Sequence, residues 1–544
     1  MVLFGVLAIA RPTQVISADE GALLAQVRTL ADTGHWSLPV HTEIDRGGSW
    51  FGLHQPVILG DRAITFDRPP TYPLLLVPLW KIGGLAAVLA LHVLGVWAAA
   101  LLAGRLTERL VGARGIEAMW LTGVLSPLLF DGYWAIAHSL VAAGAIAAVL
   151  GALRFVLDGR RWGIAVWLAG LVTAVGLRTE PLFLAAGLAA ALLVVGWAQA
   201  TVRWRAWGLA TATVGLAGSL FIGLRLWQRA VEGSPSGGGL PTPSSPNGYL
   251  AARLSGFSHS VIGAGFGDRA GAVVAIIAAG FTLGALLLTR FARGTHRMQT
   301  GLAAAGAAAA VVRLFLPLDL VTGLLIAAPL IVGAALCVPR QRWADPATKV
   351  VAVTASLTVA AVVATQHERG GTGEWGGRYF HVALPLICVL AVVSMDWLVA
   401  HRPAARTVVT CGLVVCAAFS GMSLREAARG RHSAEVRTEL AWQAAQKLGP
   451  NPVIVNTWIA GGRFAWRHVD EARYLTVGRK DFPLLGRRLE EAGIDEWVLL
   501  AQPQDLAHID EIEGYELTEQ EGFGGAGWSV LVMDRAPAAP VTQG

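Results

Sequence analysis

The sequence predicts a mostly α, polytopic membrane protein of about 13 transmembrane helices, followed by a small C-terminal extracytoplasmic α/β domain. Three observations predict it. The 544 residues are 54% hydrophobic and only 15% charged, with mean hydropathy +0.54, whereas soluble domains carry roughly 25% charged residues. Basic residues recur in alternate connections between apolar runs. Beyond about residue 430 the composition turns polar, and short strand-like and helix-like runs alternate.

Taken in order, apolar runs suited to spans lie near 2–16, 84–104, 116–131, 138–157, 162–177, 181–199, 207–227, 271–290, 300–316, 320–338, 350–365, 379–399 and 407–424. The first run meets Arg11-Pro12 after about ten apolar residues, half of what a bilayer core requires, so either "TQVIS" completes the span with Arg11 tolerated or, the favoured reading, the start lies upstream of Met1. The runs at 162–177 and 300–316 are short for a crossing. Between these runs, Arg105/Arg109/Arg114, Arg160/Arg161, Arg203/Arg205, Arg290/Arg293/Arg297, Arg340/Arg342/Lys349 and Arg402/Arg406 occupy every second connection. The asymmetry places that set in the cytoplasm. It also explains the net charge of +6 without nucleic acid. Loop 17–71, loop 228–270 and the tail then face outward, on a multi-pass protein of the plasma or inner membrane.

Residues 1–424 are thus expected to form the transmembrane domain, and 430–544 a separate external domain. Loop 228–270 contains "EGSPSGGGLPTPSSPNGY", a composition suited to a mobile loop. In the tail, "PVIVNTW", "ARYLTV", "EWVLLA" and "WSVLVMD" read as strands; "DFPLLGRRLEEAG" and "PQDLAHIDEIEG" read as helices. No glycine-rich nucleotide fingerprint and no internal repeat stands out. Cys337, Cys388, Cys411 and Cys416 lie in or beside apolar runs, which predicts neither a disulfide framework nor a zinc site.

Two stretches of loop 17–71 carry chemistry. Ser17-Ala18-Asp19-Glu20 fits a capping box, with Leu23, Leu24, Val27 and Leu30 on one face of a helix that Gly34 would end. Such a helix would lie flat on the membrane surface. Glu20 would close the box. Asp19 either only complements the helix dipole or accepts a proton from an incoming hydroxyl, as a general base does. At the other end of the loop, Asp67-Arg68 precedes Pro69-Pro70, whose rings stiffen the backbone. Arg68 is either a snorkelling interfacial arginine or a cation placed to fork onto a phosphate.

These stretches, "ADEGALLAQVRTLADTG" and "DRPPTYPLLLVPLWKIGG", together with "LAGLVTAVGLRTEPLFLAAGL" and "GGRYFHVALPLICVLA", resemble the glycosyltransferase C superfamily. The nearest groups are protein O-mannosyltransferases and the bacterial aminoarabinose transferases that modify lipid A. The resemblance covers most of residues 1–424, and only the first two motifs are moderately specific. It implies transfer of a sugar, hexose or pentose, from a polyprenyl-phosphate carrier to an extracytoplasmic acceptor hydroxyl, with inversion. The acceptor would be a glycan, lipid or protein of the cell envelope. Position by position, Asp19 matches the family's catalytic acidic residue and Glu20 its neighbour. Asp67-Arg68 falls where relatives place an acidic residue and then a basic one near the carrier phosphate, and Arg378-Tyr379 matches an "R-Y" at the start of a late span.

One departure concerns His138, in "SPLLFDGYWAIAHSL", where many relatives have an acidic residue. A histidine there either hydrogen-bonds a sugar or hydroxyl, or is simply satisfied at a helix end. Arg178 and Glu180 read first as a structural ion pair and second as contacts to the donor phosphate, and Arg225 and Arg313 as charges near outer span ends. His367, Glu368 and Glu374 form no strong metal-ligand spacing, so no metal or cofactor is expected. In the resulting scheme Asp19 activates the acceptor while Arg68 and Arg378 stabilise the leaving phosphate. The alternative is a transporter or flippase of a lipid-linked sugar, which also needs a basic headgroup site but no base at Asp19; a binding protein without activity would need none either.

Overall fold

The computed structural model describes residues 5, 13–46, 48–52, 57–64, 69–232, 248–264, 269–292, 296–317, 320–365, 375–458, 461–522 and 528–537. The protein is mostly helical and polytopic. Among the described residues eight helices are long and apolar enough to cross a membrane: Thr71–Val111, His138–Val156, Pro181–Ala198, Ala200–Val231, Arg269–Phe291, Pro346–Thr365, Leu384–His401 and Ala405–Gln446. Trp162–Leu177 is a shorter apolar helix, and His296–Arg313 forms as well. Of the run at 2–16 only residues 5 and 13–16 are described. The described residues do not confirm the count of thirteen crossings.

Two of the expected spans are broken, each beside a proline. The run 116–131 forms Gly115–Gly123 and then Leu128–Asp131. Pro127 lacks a backbone N–H and disfavours helical geometry in the residue before it. The run 320–338 splits into Leu324–Ala327 and Pro329–Ala335, with Ala328 at φ −142 and ψ 56 between them. A third break lies inside Thr71–Val111, where Gly83 and Gly84 leave helical geometry and Gly84 takes φ 56.

The chain divides into two compact units. The first comprises Met1–Ala10, Val88–Trp227 and Gly237–Ala427; the second comprises Arg11–Ala87, Gln228–Ser236 and Ala428–Gly544. The charge alternation along the sequence reappears as proximity within the first unit. Arg109 and Arg154 both pair with Asp158, at 2.6 and 3.1 Å. Arg114 reaches Asp396, Arg342 donates to the Leu110 carbonyl, and Arg402 donates to the Arg290 carbonyl. Connections from the other set meet one another instead: Gly376 N–H donates to Val321 O, Gly323 N–H to Gly263 O, and Tyr249 OH to Ala364 O.

The helices His138–Val156 and Trp162–Leu177 pack through glycines. A Cβ on Gly144 would lie 2.7 Å from the Gly170 carbonyl oxygen, and one on Gly163 would lie 2.6 Å from that of Gly151. Small residues let membrane helices approach backbone to backbone, where dispersion must do what the hydrophobic effect does in water.

In the second unit a five-stranded sheet has the order β5-β4-β6-β8-β7, from β4 (Val453–Asn456), β5 (Arg473–Thr476), β6 (Glu496–Ala501), β7 (Tyr515–Gly522) and β8 (Ser529–Arg535). The strands β4, β5 and β6 are parallel, and β8 runs antiparallel to both β6 and β7. Four of the five strands match the apolar runs read above. Strand β7, "YELTEQEG", escaped that reading because it is an edge strand of mostly polar residues. The segment read as a second helix forms only Pro503–Leu506 and a 3-10 turn at Ile509–Glu511. Strand β4 is buried on both faces: Val453 and Val455 pack with Phe482, Leu485 and Leu489, while Ile454 packs with Trp442 and Ala445.

The first loop belongs to this same unit. A small sheet of β1 (Leu38–Pro39), β2 (Val57–Leu59) and β3 (Arg62–Ile64) forms within it. Residues 50–52 extend the larger sheet along β5, through Thr476 N–H to Trp50 O at 2.6 Å and Gly52 N–H to Tyr474 O at 3.1 Å. The helix Ala18–Thr33 is buried at Glu20–Val27 and again at Thr29–Ala31. It does not present one apolar face to a membrane surface as the sequence suggested.

Candidate functional site

The residues singled out from the sequence fall into two sets, one in each unit. In the second unit, the capping box forms as read. Ser17 is the N-cap, its Oγ accepts from Glu20 N–H at 3.3 Å, and Glu20 Oε2 accepts from Ser17 N–H at 2.9 Å and Ile16 N–H at 2.6 Å. Gly34 ends the helix at φ 73. Glu20 is fully buried, its carboxylate spent on backbone donors. Asp19, one residue earlier, is 33% exposed and takes an ion pair from Arg463 Nη1 at 3.1 Å, with Arg463 only 10% exposed. The two neighbours thus have separate environments.

Arg463 is held in place by close backbone packing. It lies in the short helix Gly461–Phe464, and a Cβ on Gly21 would sit 1.8 Å from its carbonyl oxygen. Only a glycine at 21 lets the helix of Asp19 come so near. Gln14 fastens the approach to that helix: its Nε2 donates to Phe464 O at 3.0 Å and Thr438 Oγ1 at 3.1 Å, and its Oε1 accepts from Trp466 Nε1 at 2.6 Å. Asp67 and Arg68 lie outside the described residues.

In the first unit, His138, Arg178, Glu180, Arg378 and Tyr379 gather around a residue not singled out from the sequence, Asp131. Its carboxylate and the His381 imidazole are both fully buried and 2.7 Å apart, Oδ2 to Nδ1. The other ring nitrogen of His381 lies 3.1 Å from Gly376 O. Asp131 also feels the charges of Arg178 and Arg378, so opposite charges surround it in a medium where Coulomb terms are large. Arg178 forks onto Glu180, with Nε 3.0 and 3.1 Å from the two carboxylate oxygens, the bidentate ion pair expected for these two. His138 stacks on Trp134 at 5.3 Å and meets the His381 ring edge-on at 6.0 Å.

Arg378 stands on a turn that requires glycine. Gly376 and Gly377 take φ 64 and 69, and a Cβ would lie 2.4 Å from Pro127 at the first and 2.5 Å from the Ser260 carbonyl oxygen at the second. The 3-10 turn Arg378–Phe380 follows. Arg378 Nη2 donates to Tyr379 OH at 2.9 Å, and its guanidinium lies 4.7 Å from the Tyr379 ring. Chemically this is a cluster of two guanidiniums, Arg178 and Arg378, and the His381 imidazole, with two carboxylates, Asp131 and Glu180. A sequence signal for Asp131 did exist: with Glu117 it is one of only two acidic residues in the apolar runs 116–131 and 138–157, and an ionisable residue there is a functional candidate by default.

Two further residues singled out from the sequence are described. Arg313 is buried at the end of His296–Arg313 and donates to Pro317 O at 2.6 Å, where a cation suits the helix C-terminus. Arg225 lies over the Phe221 ring at 5.4 Å. His367, Glu368 and Glu374 lie outside the described residues.

No protein-family model matches the chain, and no curated protein sequence does. A solved structure does: the crystal structure of ArnT from Cupriavidus metallidurans in the apo state, at 13% sequence identity and a TM-score of 0.53, covering 98% of this chain and 96% of that one. At that identity the likeness is one of fold, and it runs the length of both chains: this is a polytopic, mostly helical membrane protein with the ArnT fold.

Proposed function

We propose that the protein is a membrane glycosyltransferase that moves a sugar from a polyprenyl-phosphate carrier to an acceptor hydroxyl outside the cytoplasm. The observation that carries the reading is the full-length fold likeness to ArnT, an aminoarabinose transferase, joined to the acidic motif at Asp19-Glu20. The environments of the two carboxylates support a division of labour. Glu20 caps a helix and is closed to solvent, whereas Asp19 is partly open and its ion pair with Arg463 orients it. Asp19 takes the proton of the acceptor hydroxyl as that oxygen attacks the anomeric carbon. The bond to the carrier phosphate breaks on the opposite face, which inverts the centre. Arg68 and Arg378 meet the charge that develops on the leaving phosphate. His138, Arg178, Glu180 and Tyr379, all in the first unit, are the proposed further contacts to the donor.

The test uses the full-length protein in lipid, a panel of radiolabelled polyprenyl-phosphate sugars and a membrane extract as acceptor. One donor loses its sugar to an acceptor with the wild type. Asp19→Asn abolishes that transfer, a loss of at least 100-fold on the scale usual for general bases, while carrier binding is retained. Normal turnover by Asp19→Asn overturns the role of Asp19. Carrier movement across the bilayer without product overturns the transferase reading in favour of a flippase.

A further inference from the structure

A patch of unmatched positive charge lies in the first unit, where two connections between spans meet. Residues 154–161 and 199–207 hold five arginines, Arg154, Arg160, Arg161, Arg203 and Arg205, and one acidic residue, Asp158. Asp158 is already shared by Arg109 and Arg154, at 2.6 and 3.1 Å. Among the described residues, which include all of 69–232, the other four arginines have no carboxylate partner. Arg203 is half-buried; its Nε donates to Gly196 O at 3.4 Å and its guanidinium lies 5.7 Å from the Trp207 ring. Arg160, Arg161 and Arg205 are exposed. The two connections meet at Gly159, which takes φ 69; Arg205 Nη1 lies 3.0 Å from the place of a Cβ there. Arg205 thus rests on the turn that carries Arg160 and Arg161. Like charges gathered in this way repel, and an oxyanion shared among the guanidiniums turns that repulsion into charge-assisted hydrogen bonds.

The surface around the patch is aromatic and apolar. Trp162, Trp197 and Trp204 are 50, 76 and 81% exposed, and Trp204 meets Trp207 edge-on at 6.1 Å. Trp162 begins the helix Trp162–Leu177, Trp197 lies in the last turn of Pro181–Ala198, and Trp204 lies in the first turn of Arg203–Glu232. Trp167 Nε1 donates to Thr213 Oγ1 at 3.1 Å and ties the first of these helices to the last. Exposed tryptophans at the ends of spans mark the headgroup layer of a bilayer, so the arginines stand at the height of lipid phosphates. Further along the same helices Ile164, Leu168, Leu193 and Val194 face outward, a surface suited to acyl chains.

We infer that this patch binds an anionic phospholipid, its phosphate shared by Arg160, Arg161 and Arg205 and its chains lying on the neighbouring apolar helix faces. The arginine alternation assigns these connections to the cytoplasmic side, where anionic lipids concentrate and basic sites between spans take their headgroups. A topology signal needs only charge on the correct side; it does not need arginines of separate connections to converge on one glycine turn. The inference is independent of the transferase reading.

The experiment titrates the full-length protein in detergent with cardiolipin, phosphatidylglycerol or phosphatidylcholine and counts bound lipid by native mass spectrometry. The first molecule of cardiolipin, phosphatidylglycerol or both binds at least about tenfold more tightly than phosphatidylcholine. Arg205→Gln weakens that binding about fivefold, and a triple variant, Arg160→Gln, Arg161→Gln, Arg205→Gln, loses the preference. Lysine at the same three positions keeps most of it, since the charge remains. A control triple variant, Arg297→Gln, Arg340→Gln, Arg406→Gln, removes as much charge from other exposed arginines assigned to the same side and keeps the preference. An unchanged thermal midpoint in the variants separates lost binding from lost fold. Excess sn-glycerol 3-phosphate, which has the phosphate without the chains, leaves the lipid bound. Asp19→Asn binds lipid like the wild type, so failure of the transferase reading leaves this result standing. Equal affinity for phosphatidylcholine, a preference retained without the three arginines, an equal loss in the control, or displacement by glycerol phosphate overturns the inference.

Discussion

At the scale of single residues, adjacent or nearby carboxylates differ by what surrounds them. Glu20 satisfies two backbone N–H groups at the start of its helix. Glu20→Gln retains an acceptor in the capping box and leaves stability nearly unchanged, whereas Glu20→Ala costs about 1 to 2 kcal/mol. Thermal unfolding of the two variants in lipid checks the difference. Asp131 illustrates the opposite case, a carboxylate in the interior whose partner is an imidazole. Removing one member of a buried pair strands the other, so Asp131→Ala loses about 3 kcal/mol. Asp131→Asn, whose amide can still hydrogen-bond the ring nitrogen, loses less. Equal midpoints for both variants and the wild type would show that the pair contributes nothing to the fold.

At the scale of elements, glycine decides which helices touch. Gly170 faces the next helix so closely that a Cβ would lie 2.5 Å from the Gly144 carbonyl oxygen. Gly170→Leu therefore forces His138–Val156 and Trp162–Leu177 apart and lowers the unfolding midpoint, at a cost of about 1 to 3 kcal/mol. Gly215 sits inside Arg203–Glu232 with nothing near its Cβ position. Gly215→Ala stabilises by about 0.5 to 1 kcal/mol, because it removes freedom from the unfolded chain. The contrast between two helical glycines is the measurement. Glycine alone marks no contact in the sequence; the neighbouring backbone makes one of them indispensable.

At the scale of the molecule, two half-buried histidines of the second unit predict a loss of stability in acid. His41 and His468 both have their pKa held below the usual 6.5, because burial disfavours the charged ring by more than Glu43 at His41, or Glu471 and Glu439 at His468, favours it; Arg473 adds to the lowering at His41, and Arg467 and Arg28 add at His468. A histidine depressed in the folded state costs nothing while both states are neutral. As pH falls through 6.5 the unfolded chain takes up protons first, so stability drops. The unfolding midpoint of the full-length protein in lipid is expected to fall between pH 7.5 and pH 5.5. A His41→Gln, His468→Gln double variant flattens that slope; an unchanged slope would assign the acid sensitivity elsewhere.

The sequence alone determined the elements whose signals are local. Span positions such as 138–157, 181–199 and 271–290 followed from runs of apolar residues, because lipid demands them. The capping box at Ser17–Glu20 and the glycine stop at Gly34 followed from short-range hydrogen bonding. The alternation of arginines predicted which connections lie together, because charge cannot be left in the bilayer. Tertiary structure decided the rest. Spans 116–131 and 320–338 broke where prolines removed backbone donors, and only packing let the chain tolerate the gaps. Asp131 met His381 across 250 residues, and Asp19 met Arg463 across 444. Residues 50–52 joined the edge of a sheet formed more than 400 positions later. Each of these is a long-range pairing of polar groups, selected by the cost of burying them alone, and no periodicity in a linear sequence encodes which partner that will be.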